Sequence, residues 1–323
     1  MCSSDLLQVG KKILDLVKSG QVSTSTSDLA RALPIEAAAT IQSLQGDYAG
    51  QIESCKALTV SAHSGCRDGT LASSAATGHD IGRANALIAD AQTVRTNGKP
   101  DPERYFTLAQ IALPAGDYTG GLAAAKQGEA IVGNDPTQTL DRDVFLRPYE
   151  AEILARIGRI ADAKALIATT PLECDTCVLT RGRIAMLARD WKDAEHWFAI
   201  VSARTPHIPF ADADWGQMLM VKGDLGGAIT KFESANKKGP HFADPLEMWG
   251  EALIAKNRSD LAVAKFEEAA KYAPSWGRLH LKWGEALWWS GKRDEAKKQF
   301  AAAAGLDMTA AEKSERAKVS AHG

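Results

Sequence analysis

The sequence predicts an all-α chain built as a solenoid of stacked antiparallel helix pairs, closed by a C-terminal capping helix. Two observations carry this. Four glycines, Gly182, Gly216, Gly250 and Gly284, stand 34 residues apart. Ala is abundant while Pro is sparse and β-branched runs are short, which favours helix over strand.

The repeat deepens when other columns are read. Ala194, Ala228, Ala262 and Ala296 follow each glycine by twelve residues. Phe198, Phe232, Phe266 and Phe300 follow four residues later, so half of the eight Phe in the chain share one register. Pro206, Pro240 and Pro274 close three of the four units. Each unit then reads as two amphipathic helices. Small residues belong where the helices cross, and Pro ends the second helix because it lacks an N–H and disfavours helix just before it. The ring at Phe266 is expected to fill the gap between one hairpin and the next.

With Trp249-Gly250, Leu253, Ala262, Phe266, Ala269 and Pro274 in place, the unit resembles a tetratricopeptide repeat. The next unit, Trp283-Gly284, Leu287, Gly291, Ala296, Phe300 and Ala303, has the same pattern. The resemblance implies a right-handed superhelix of about eight hairpins, whose first helices line a concave wall that seats a peptide or a partner helix. A bacterial origin is expected.

The regular array is placed at 177–308. Upstream the pattern loosens. Gly158-Arg159-Ile160 with Ala163, and Gly116-Asp117-Tyr118 with Ala125, read as the middles of divergent hairpins over 99–176. The 42-residue step from Gly121 to Ala163 predicts a longer loop around Gly133-Asn134-Asp135-Pro136. Gly46-Asp47-Tyr48 and Gly78-His79-Asp80 read as turns of degenerate repeats over 35–98, with the Ser/Gly-rich stretch 61–74 between them and a turn at Asn97-Gly98-Lys99-Pro100. Residues 1–34 are assigned to a first helix and linker. At the other end, Thr309-Ala310-Ala311-Glu312 is a capping box that opens a final helix within 309–323, suited to cover the last repeat.

Met1-Cys2-Ser3-Ser4-Asp5-Leu6 resembles a translated sequencing-adapter fragment, so the natural chain is expected to begin further upstream. Two rival readings hang on that expectation: the regulatory or sensory tail of a larger signalling or transcription protein, and an envelope-associated assembly factor.

The leading expectation is a protein-interaction scaffold. By register, Phe210, Gln217, Met220, Asp244, Glu247, Glu251, Ile254, Arg278, Leu281, Glu285 and Trp288 face the groove. Met186, Met220, Ile254 and Trp288 form an apolar column with the repeat period, and Met suits a surface that adapts. The same column also suits packing between neighbouring first helices. Asp244, Glu247, Glu251 and Glu285 add acidic character that would favour a basic or amphipathic helix. Some members of the resembled family clamp a chaperone's terminal carboxylate with basic side chains. Here Ala213, Gln217, Glu247, Glu251 and Glu285 hold those positions, which argues against such a ligand. Trp288 and Trp289 cannot both face the core, so one is a candidate anchor and burial under the final helix is its alternative.

Other chemistry leaves little trace. The net charge of -2 lacks the basic excess of a nucleic-acid binder, and no apolar run is long enough to span a membrane. Five scattered cysteines do not form a disulfide framework, which points to a reducing compartment and a cytoplasmic protein. Cys174-Asp175-Thr176-Cys177 has C-x-x-C spacing, but a zinc site needs further ligands and a thioredoxin-type site a strand–helix setting. Ordinary thiols are the expectation there, with a reversible disulfide or a metal site as the alternative. With no nucleophile elbow, phosphate loop or metalloprotease pattern, neither catalysis nor a metal or cofactor is expected.

Overall fold

The computed structural model describes residues 3–19, 21, 28–56, 58, 68–90 and 101–320, and everything regular in them is α-helix. Nineteen helices are seen among the described residues, α1 to α19 in chain order. The regular array comprises α11 (Asp175–Leu187) with α12 (Trp191–Arg204), α13 (Phe210–Lys222) with α14 (Leu225–Lys238), α15 (Ala243–Ala255) with α16 (Ser259–Ala270), and α17 (Gly277–Trp289) with α18 (Arg293–Ala304).

The repeat columns explain the packing. A Cβ at Gly182, Gly216 or Gly250 would lie 2.5 Å from the ring of Phe198, Phe232 or Phe266, and the same clash awaits at Gly284 under Phe300. Each ring therefore presses on the glycine of its own hairpin. This corrects the expectation for Phe266, which closes its own hairpin rather than the gap to the next. Phe198, Phe232 and Phe266 are fully buried, as are Ala194, Ala228 and Ala262 beside them. The repeat also shows in cation–π pairs: Lys231 over Trp215 at 3.3 Å and Lys265 over Trp249 at 4.1 Å.

Upstream the pairs are α2 (Asp28–Leu44) with α3 (Tyr48–Cys55), α4 (Asp68–Thr77) with α5 (Ile81–Asp90), α6 (Pro102–Ala115) with α7 (Tyr118–Val132), and α9 (Arg147–Arg156) with α10 (Ile160–Ala168). α1 (Ser3–Lys18) packs on α2. Since α2 runs through Pro34, the boundary drawn at residue 34 falls inside a helix. The predicted long loop near Pro136 is instead the helix α8 (Pro136–Phe145). Asp135 caps it, accepting from the Thr137 N–H at 2.9 Å, and Pro136 stands in its first turn. Of the Ser/Gly-rich stretch, Asp68 onward is the helix α4. The rest, like the turn at 97–100, lies outside the described residues.

α19 (Ala310–Ser320) starts on the capping box: the Thr309 N–H donates to Glu312 Oε2 at 2.7 Å, and the Glu312 N–H donates to Thr309 Oγ1 at 3.3 Å.

The N-terminal turns reach across to junctions of the regular array. Gln45-Gly46 meets Gly239 and Phe242 so closely that a Cβ at either glycine would collide. Tyr48 joins a cluster with Ala213, Ala235, Phe242, Phe210 and Met248. His79 is stacked on Trp276, ring centres 3.6 Å apart, with its Nε2 2.9 Å from Asp244 Oδ1. His241 reciprocates from the array: its Nδ1 is 2.9 Å from Asp47 Oδ2, and its ring stacks on Tyr272. One hairpin further, Gly116 abuts Thr309.

Candidate functional site

The first helices α9, α11, α13, α15 and α17 present one wall, and it carries a ladder of charges. Glu152, buried on α9, accepts from Arg156 Nη2 at 2.7 Å and from Arg183 Nη1 at 3.1 Å. Arg183 on α11 also donates through Nε to Asp214 Oδ2 on α13 at 2.7 Å. Burial alone would raise the Glu152 carboxyl, but Arg183 and Arg156 outweigh it and hold it below the usual range. At Asp214 burial wins over Arg183 and the carboxyl is pushed up. Burial also pushes the Tyr48 and Tyr149 phenols up in the same region.

A second stretch of the ladder joins α15, α17 and α19. Arg278 pairs with Glu251 and has its Nε 3.2 Å from Glu247 Oε1. Lys282 pairs with Glu285 at 3.1 Å and with Glu315 of α19. Burial, together with the charge of Glu251, drives the Glu247 carboxyl well up. At Glu251 burial is overcome by its hydrogen bond with Glu247 and by Arg278, and the group stays low.

This places the residues read from the sequence. Glu247 is 1% exposed and Leu281 is fully buried, so neither can touch a partner in this conformation. Asp244, Glu251 and Glu285 are half-buried and engaged with His79, Arg278 and Lys282, so the expected acidic surface is largely neutralised from within. Phe210 is half-buried with its ring edge-on to Phe242 at 5.4 Å. Gln217 and Arg278 are half-buried too.

The apolar column divides. Met186 is buried, whereas Met220, Ile254 and Trp288 are half-buried, and Arg293 lies 5.0 Å over the Trp288 ring. The open tryptophan is its neighbour: Trp289 is 71% exposed. It lines an open cleft of about 600 Å³ with Ile254, Asn257, Ser259, Asp260 and Ser290, between the turns of two successive hairpins. Val221 and Leu261 are exposed apolar side chains on the same hairpins or the one before. Sequence reasoning missed the Glu152–Arg183–Asp214 chain. In the column after each repeat glycine, Arg183, Gln217, Glu251 and Glu285 run from positive through neutral to negative, and the partners Glu152 and Asp214 lie outside that column, so no recurring letter marked the chain.

Cys174 and Cys177 are joined by a disulfide, Cα atoms 5.2 Å apart. The expectation of ordinary thiols is overturned, and the inference from scattered cysteines to a reducing compartment loses its footing. Among the described residues no helix is long and apolar enough to cross a membrane, and no group of three or more His, Cys, Asp or Glu could hold a metal ion.

No family model and no curated protein matches the chain. Solved structures do resemble it. The APC/C hetero-tetramer Cut9–Hcn1 aligns over 88% of this chain and 55% of its own, at 11% identity and a TM-score of 0.55. MamA from AMB-1 aligns over 52% of this chain and 92% of its own, at 19% identity and a TM-score of 0.38. Pseudomonas aeruginosa PilF aligns over 56% and 85%, at 13% identity and a TM-score of 0.45. All three are tetratricopeptide-repeat proteins, and the Cut9–Hcn1 likeness extends that fold to this chain.

Proposed function

We propose that this tetratricopeptide-type solenoid is a protein-interaction scaffold whose work is binding rather than turnover, and that a peptide or helix seats along the first-helix wall. The supporting observation is that Met220, Ile254 and Trp288 are partly exposed on successive first helices and that Ile254 and the exposed Trp289 line one cleft. An exposed Trp beside a cleft is the kind of side chain that dominates binding energy when a partner covers it. The paired carboxylates of α15 and α17 fix the helices and leave the apolar residues to set affinity.

The test is selection of binding peptides from a displayed library against the intact chain, followed by calorimetry. Met220→Glu plus Ile254→Glu, and separately Trp289→Ala, should weaken the selected peptides by about tenfold or more. Equal binding by all three proteins, or no selected peptide, removes the wall as the binding site.

A further inference from the structure

The disulfide at the start of α11 has the layout of a reactive pair. Cys174 is the N-cap of the helix, and its sulfur accepts the Cys177 backbone N–H at 3.0 Å. It is half-buried, so a small reagent can reach it. Cys177 is fully buried among Ala151, Leu154, Ala163, Ile167 and Ile184, with its sulfur 3.7 Å from the Asp143 carbonyl oxygen. The first residue is half-buried with its sulfur on a backbone N–H at the helix start; the other is shielded one turn along.

The loop that carries the pair is held without the sulfurs. Arg181, buried in the second turn of α11, donates to the carbonyls of Ile167 at 2.7 Å, Thr170 at 2.9 Å and Cys177 at 3.1 Å. Arg204 donates to the Leu172 carbonyl at 2.6 Å. Opening the S–S bond leaves those ties in place, so the two thiols stay side by side and the bond can re-form.

We propose that Cys174 and Cys177 form a thiol–disulfide exchange site, in which Cys174 reacts with a low-molecular-weight thiol or disulfide of the glutathione type and Cys177 resolves the adduct. In the reducing direction, an external thiolate attacks Cys174 Sγ. The Cys174–Cys177 bond breaks, and its electron pair leaves on Cys177, which takes a proton. A second external thiolate attacks the external sulfur of the mixed disulfide and releases Cys174 as the thiolate. The pair gains two electrons and, with Cys174 left as the thiolate, one proton, and two external thiolates become one external disulfide. The reverse sequence re-forms the internal bond. Helix N–H groups stabilise the Cys174 thiolate. Glu173 and Asp175 flank it and oppose that effect, so the activation is moderate. This site lies apart from the Trp289 cleft and does not depend on the scaffold reading.

The experiment uses the intact chain. Reduced protein is mixed with oxidised glutathione, quenched with acid and mapped by peptide mass spectrometry, which separates Cys174 from Cys2, Cys55 and Cys66. In Cys177→Ala, Cys174 should keep a glutathione adduct. In Cys174→Ala, the buried Cys177 should carry about tenfold less. No adduct on Cys174, or equal adducts on both, overturns the proposal. Should either variant lose its helical circular dichroism, the reduced wild-type chain decides. At pH 6.5 its Cys174 should react with iodoacetamide about threefold faster than in the urea-unfolded chain. An equal or slower rate overturns the proposal.

Discussion

The regular array and the N-terminal arm solve one packing problem with different side chains. In the array each hairpin closes with a phenyl ring pressed on a glycine. In α4 and α5 the crossing is made by Ala72, Ala75, Ala76 and Ala84, with Leu71 and Ile88 as the larger members. Alanines let helices approach closely but bury little area, whereas a buried Phe contributes roughly 1.5–3 kcal/mol relative to an exposed one. The array therefore carries its own stability unit by unit. The arm leans on the array, through Tyr48 against Phe242 and His79 against Trp276.

The contrast breaks first at the largest side chain. Phe266→Ala should cost ~3–5 kcal/mol in urea unfolding, and Ile88→Ala nearer 2 kcal/mol. Equal losses would show that the arm packs as strongly as the array.

Next comes Asp212, buried between α12, α13 and α14. It accepts from Ser202 at 2.9 Å, Ser234 at 2.6 Å and Lys238 at 2.7 Å. Burial would raise its carboxyl, but the bonds from Lys238 and Ser234 hold it below the ordinary range. An acid with a depressed folded-state value stabilises above its unfolded value, near 4, and loses that contribution as pH falls through the lower folded value. Asp212→Ala should cost ~3 kcal/mol at pH 7 and flatten the acid limb of Tm against pH, read by circular dichroism.

A smaller effect tests the arm's attachment. His79→Ala with His241→Ala should cost about 1 kcal/mol for each imidazole removed. Hydrogen exchange should quicken in α2 to α5 while α15 to α18 stay protected. Uniform loosening would mean that the two regions unfold as one.

The smallest effect has the opposite sign. Glu247 is an acid whose folded-state value is raised. Stability therefore falls as pH rises from its unfolded value, about 4.3, toward the folded one. Glu247→Gln removes that fall, and at pH 8 the variant should match or exceed the wild type by up to ~1 kcal/mol in urea titration. A clear loss would show that the ionised carboxylate is what Arg278 requires.

The same contrast decides what was legible. Gly250, Ala262 and Phe266 could be read because steric fit at a helix crossing admits few residue types, so the same letters recur. Ala72 and Ala84 satisfy an equivalent crossing with the commonest helix former, which leaves no distinctive letter. α8 was legible in Asp135-Pro136, a cap followed by a first-turn proline, but the lengthened spacing was read as loop. The charge ladder hid because Arg183 pairs with Glu152 and Asp214, and Glu251 with Arg278, from different positions of their units, so no column of like letters marks it. Trp289 was named only as one of two choices, since adjacent helix positions point about 100° apart and the exact rotation of α17 decides which indole turns outward.

The turns at Gly46, His79 and Gly116 meet the junctions at Phe242, Trp276 and Thr309, each advancing by one hairpin. An open stack of repeats can gain or lose a unit anywhere. This chain cannot do so between Gly116 and Phe242 without sliding every turn off its junction. The number of hairpins in that interval is thereby fixed by geometry, as the teeth of one gear fix those of another.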